Sequence, residues 1–179
     1  MAEYKAKGWE NFICYGMGST LDDVKNAAAA EMNIVCSAAA IKAAEYLKEK
    51  FGTPYEIEYP QSCLPEEIVQ KADNFTDKNV LVIHNQTAAD AVRKLITEKS
   101  GKCHCTSATF FMQKKELSQQ SDFFLADESD LCDNVGDNYD VVIADKALRC
   151  VMKNFSGEFI DFPHFGLSGR LLQGESEKI

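Results

Sequence analysis

The sequence predicts an α/β protein: a parallel sheet with helices on both faces, in three αβα layers. Short apolar runs recur along the chain, and segments with apolar residues at helical spacing lie between them. Glycines, prolines and capping residues mark most of the changes of period. Strands joined through helices need crossover connections, and such connections align neighbouring strands in parallel.

Residues 11–15 (NFICY) are predicted as a first short strand, closed by Gly16-Met17-Gly18. Ser19 and Thr20 can cap the next helix, with Asp22 and Asp23 in its positive first turn. Residues 32–36 (MNIVC) form a second strand, apolar enough for burial on both faces. A helix is predicted over 38–51, where Ala40, Ala44, Leu47 and Phe51 make the apolar stripe. Gly52 and Pro54 end it. Residues 55–59 alternate as a strand, and Pro65 opens another helix.

The polar stretch 74–78 (NFTDK) is the best boundary in the chain. It divides a partial βαβαβα unit over 1–76 from a second α/β unit over 77–179, unless both form one α/β body. Beyond it, 80–83 reads as a buried strand, and Thr87 as the cap of a helix carrying Ala88, Ala91, Val92, Leu95 and Ile96. Further strands are predicted at 103–107, 123–125, 141–144 and 159–162, with a helix over 146–153.

Composition narrows the function. The chain has 179 residues and a formal net charge of −9. That charge argues against unassisted binding to a nucleic-acid backbone, where lysine and arginine supply most of the affinity. The seven cysteines are an odd number, and residues 1–10 lack the apolar core of a secretory leader. Reduced thiols in a cytoplasmic protein are expected. No apolar run approaches the roughly 20 residues needed to span a bilayer, so no membrane role is expected.

Several groups could carry chemistry. Gly16, Gly18 and Ser19 lie in a strand-to-helix turn, where backbone N–H groups can hold a phosphate. The third glycine of a dinucleotide fingerprint is absent, since Leu21 holds that place, so a tight turn is the plainer reading. Cys103-His104-Cys105 is the densest set of metal-capable side chains. No second pair stands at zinc spacing, and two thiols packed in a core are favoured. His84 and Asp145 each follow a strand, at the edge where open α/β sheets place ligands. Polar residues there are equally ordinary helix caps. Cys36 and Ser37 end the second strand, and the helix after them is expected to lower the Cys36 pKa. The apolar, glycine-punctuated stretch 162–170 carries His164 and Arg170 and is expected to pack against its own domain or a partner. No G-x-S-x-G elbow supports a Ser-His-Asp hydrolase.

Four stretches together resemble the nitrogenase component 1 family: GMGSTLDDVKNA leading into MNIVCS, AAEYLKEKFGTPYEIEYP, NVLVIHNQTAADAV, and YDVVIAD followed by FIDFPHFGLSGR. That family includes catalytic subunits, scaffold proteins for iron-molybdenum cofactor assembly, and related tetrapyrrole reductases. The resemblance implies Rossmann-like domains, clusters held at domain junctions and subunits associated in pairs. It makes this chain the C-terminal half of such a protein, without the cysteine-bearing N-terminal domain.

In catalytic subunits of the family a cysteine after the matching strand holds the cofactor; Cys36 or Ser37 falls there. The family's histidine ligand is not matched, since Phe162 is nearest in register and His164 stands two residues beyond. The resemblance thus implies a scaffold relative that holds an iron-sulfur or iron-molybdenum-type cluster, or a pigment, shared with a homologous subunit or a second copy. Electrons would come from a separate ATP-dependent iron-sulfur reductase. Two other functions stand beside it. One is a small-ligand or nucleotide-binding module at Gly16–Ser19, His84–Gln86 and Asp145. The other is a structural domain that dimerises through 162–170.

Overall fold

A computed structural model describes residues 2–15, 19–135 and 138–169. The chain opens with helix α1 (Ala2–Ala6) and helix α2 (Leu21–Lys25). Thr20 and Asp23 form a reciprocal capping box at the start of α2, as the sequence predicts. Residues 11–14, predicted as a strand, carry no regular structure. No strand partner is described for them, and a strand without a ladder leaves its amides unpaired. The rings of Phe12, Trp9 and Tyr4 pack together instead, with Trp9 and Phe12 stacked at 6.2 Å.

Strand β1 (Asn33–Val35) pairs in parallel with β2 (Tyr55–Ile57) across helix α3 (Ile41–Phe51), forming a two-stranded sheet. The 38–40 segment is a 3₁₀ turn, and this shifts the phase of the helix. Its buried face is Ile41 and Ala44, packed on Val35 and Ala38, while Phe51 is exposed rather than core. Gly52 closes α3 in the left-handed conformation at φ 76°, which favours a residue with no Cβ.

Helix α4 (Glu66–Lys71) leads to β3 (Asn79–Ile83), helix α5 (Gln86–Ser100) and β4 (His104–Thr109). Then follow β5 (Phe123–Phe124), helix α6 (Glu128–Val135), β6 (Val141–Ala144), β7 (Glu158–Asp161) and a short helix α7 (Phe165–Ser168). The predicted helix over 146–153 is a 3₁₀ turn, Lys146–Cys150.

These strands form one five-stranded sheet in the order β5-β4-β3-β6-β7, and every pair is parallel. The chain therefore builds outward from β3 to β5, then returns to the other side of β3. Successive side chains on β3 point to opposite faces. Val80 and Val82 join one core with Ile68, Phe75, Val92 and Ile96 from the α4–α5 side. Leu81 and Ile83 join the other, with Leu131, Leu148 and Phe155. Helices cover both faces, so the three-layer Rossmann-like fold is present. Helix α4 and the turn Ala72–Phe75 lie before the predicted boundary, yet they pack into the same core as β3.

Candidate functional site

The sheet order reverses between β3 and β6, so their carboxyl ends form a topological switch point, where open α/β sheets bind ligands. His84 stands at the end of β3 and Asp145 at the end of β6, and both are buried. The chain leaving β7 folds back over them and brings His164 to the same place.

His84 Nε2 lies 3.1 Å from the Pro163 carbonyl. A carbonyl only accepts, so the neutral ring carries its proton on Nε2 and leaves a lone pair on Nδ1. That Nδ1 is buried and has no hydrogen-bond partner among the described residues. Phe162 stacks on the His84 ring at 4.0 Å, and His164 meets it edge-on at 4.6 Å. His164 in turn stacks on Phe111 at 4.0 Å, with planes 12° apart. Four planar side chains thus stand in a row across the strand ends. Tyr59 meets both His84 and Phe162 edge-on. Burial presses the His84 pKa down to about 3, and the neighbouring His164 adds to the effect. Burial also lowers His164.

Asp145 is fully buried and ties two elements together. Its Oδ1 accepts from the Ala147 N–H at 2.8 Å, capping the turn after β6. Its Oδ2 accepts the His164 N–H at 2.8 Å and the Ser168 hydroxyl at 2.5 Å. One carboxylate therefore fastens the returning segment at both ends of its first turn.

The start of α5 is closed as well. The predicted cap Thr87 sits inside the first turn, and Asn85 caps the helix by accepting the Ala88 N–H at 2.9 Å. Gln86 is buried and clamps the 114–118 segment: its amide donates to the Lys114 carbonyl and Ser118 Oγ, and its carbonyl accepts the Lys114 N–H. Side chains thus fill the turn where dinucleotide folds keep glycines open to a phosphate.

Cys36 follows β1 on the smaller sheet, and its carbonyl accepts from Thr87 Oγ1 at 2.5 Å. This bond brings Cys36 beside the start of α5. The residue is exposed overall, yet desolvation of the thiol by the surrounding chain pushes its pKa up to about 11, helped by Cys63, Cys14 and Glu58. The lowering expected from a following helix does not occur. The turn after it is a 3₁₀ turn, and the Ser37 hydroxyl already accepts the Ala39 N–H. Gly16 and Gly18 lie outside the described residues, and Ser19 stands just before the cap of α2. Cys103 and Cys105 pack into the α4–α5 core, and burial pushes the Cys105 thiol up to about 12. Among the described residues, no group of three or more His, Cys, Asp or Glu side chains is arranged to hold a metal. Cys36 has Cys63 and Cys14 near enough to act on it but not arranged with it to hold a metal, so the described residues of this chain alone do not fit a cluster.

The structure thus brings His84, Asp145 and His164 together and sets Cys36 and Ser37 nearby on the other sheet. Sequence reasoning missed Phe111 and the clamp made by Gln86. The aromatic pair Phe110-Phe111, three residues beyond the strand predicted at 103–107, was the signal for the first.

No family model matches the chain, and no curated protein matches it in sequence. Among solved structures, nitrogenase Cp1 at pH 6.5 matches 85% of the chain with a TM-score of 0.50 and 15% identity. The chain spans 43% of that protein's length, less than half of it. The likeness is one of fold alone, at a distance. Among the described residues, no helix is long and apolar enough to cross a membrane.

Proposed function

We propose that this nitrogenase-like domain is a scaffold of the component 1 type, which holds a metal cluster or pigment against a partner subunit and is not a catalyst by itself. The shared fold over 85% of the chain carries the reading. The site favours holding over proton transfer, because a histidine pressed down to about 3 is neither an acid nor a base near neutral pH. Cys36 is the residue this chain would contribute to an iron-sulfur or iron-molybdenum-type cluster. The described residues form no complete ligand set, so the remaining ligands would come from a homologous subunit or a second copy. An ATP-dependent iron-sulfur reductase would then supply electrons to the assembled complex.

The test is anaerobic reconstitution of the full chain with iron and sulfide, followed by iron analysis and visible absorption. Wild type is expected to retain iron in a dimer or larger assembly, and Cys36→Ala to lose it. Colourless, iron-free wild-type protein after that treatment would overturn the scaffold reading.

A further inference from the structure

The crevice at the switch point is filled by the chain's own segment 163–169. That segment is held by a few ties and is largely exposed: α7 buries none of its four residues, Phe165 is 60% exposed, and Leu167 is only partly buried against the core. Its polar ties across the crevice include the two bonds to Asp145 Oδ2 and the Pro163 carbonyl on His84. Beneath it, His164 sits as a ligand would, with its flat ring stacked on Phe111 and its edge against His84. It leaves one need unmet. His84 Nδ1 is a buried acceptor without a donor, a state that costs free energy.

We propose that residues 163–169 are a lid, and that the site beneath takes a single-ring planar heteroaromatic bearing an N–H. Such a ring replaces His164 on the face of Phe111 and donates its N–H to His84 Nδ1. The closed lid lowers the apparent affinity by the fraction of molecules that are open. Anything that destabilises the closed lid and leaves the Phe111 and His84 side chains themselves unchanged therefore tightens binding. This inference goes beyond the scaffold reading and needs no metal.

Imidazole serves as the probe, titrated into the metal-free full chain in air. Binding is read by NMR shifts, and lid opening by peptide-resolved hydrogen exchange over 162–169. Ser168→Ala removes one tie to Asp145 and is expected to bind imidazole roughly tenfold tighter than wild type, the value of a hydrogen bond to a charged group. Gly166→Ala loosens the lid by another route, because a Cβ there would stand 3.2 Å from His164 Cε1 and 3.3 Å from Phe111 Cε1. It too is expected to bind more tightly, with faster exchange in the lid. His84→Phe keeps a flat ring but removes the acceptor and is expected to lose most of the binding. Equal affinity in wild type and both lid variants would overturn the proposal, as would unchanged binding by His84→Phe. A missing cluster in the anaerobic experiment would leave these outcomes untouched.

Discussion

Asp145 and His84 occupy equivalent strand ends, yet burial acts on them in different ways. Asp145 accepts the Ala147 and His164 N–H groups and the Ser168 hydroxyl, and is held as a structural tie. The His84 ring has one hydrogen-bond partner among the described residues, the Pro163 carbonyl, and stays neutral. Its folded pKa of about 3 lies below the ordinary 6.5, so the unfolded chain takes up a proton that the folded chain refuses. That contribution to stability is complete above about pH 6.5 and is lost as pH falls toward 3; at pH 5 the loss is about 2 kcal/mol. Urea midpoints at pH 7.5 and 5.0 check it. Asp90 works in the opposite sense. Burial raises its pKa to about 6, opposed by Arg93 and helped by Asp122. Its contribution is present below about pH 4 and is lost as pH rises through 6. Asp90→Asn should therefore stabilise the protein at pH 7.5 by about 1 kcal/mol, after discounting for its partly exposed side chain, and leave it unchanged at pH 4. In that variant the acid lability due to His84 should appear undiluted.

At the scale of elements, the sequence reads best where one face is buried along a whole helix. On α5, Ala88, Val92, Leu95 and Ile96 are all buried, as their spacing predicts. It reads less well where a turn resets the phase, as the 38–40 turn does for α3. It fails at 146–153, where Asp145 closes a tighter turn and the chain must come back beside β6. Gly157 makes that return possible. A Cβ there would stand 2.5 Å from the Asp140 carbonyl, which accepts the Glu158 N–H and starts the pairing of β7. Gly157→Ala is expected to cost about 1–3 kcal/mol in chemical denaturation, because backbone must move. Helix α4 offers a second check. Phe75, at the end of its 3₁₀ extension, is fully buried against the β3 core, so Phe75→Ala should cost about 3–5 kcal/mol. A much smaller loss would show that residues 64–75 are not part of that core.

For the molecule as a whole, stability is expected to be uneven. Strands β3 and β6 are buried on both faces, whereas α2 buries none of its residues and leaves Leu21 81% exposed. Amides of 21–25 should exchange with little protection, while those of 80–83 and 141–144 should wait for global unfolding. Protection of 21–25 equal to that of β3 would contradict this.

The residues alone determined the periods, several caps and the alternation of strands with helices, hence a parallel three-layer fold. They also placed His84 and Asp145 at strand ends. Those are local properties, written in spacing along the chain. Only the tertiary structure decided that β6 returns to lie beside β3, that residues 11–14 find no strand partner among the described residues, and that Phe111 and His164 meet over His84. Alternation names the face on which a side chain lies but not the neighbouring strand. That choice is made by long-range packing and loop closure, which depend only weakly on local sequence.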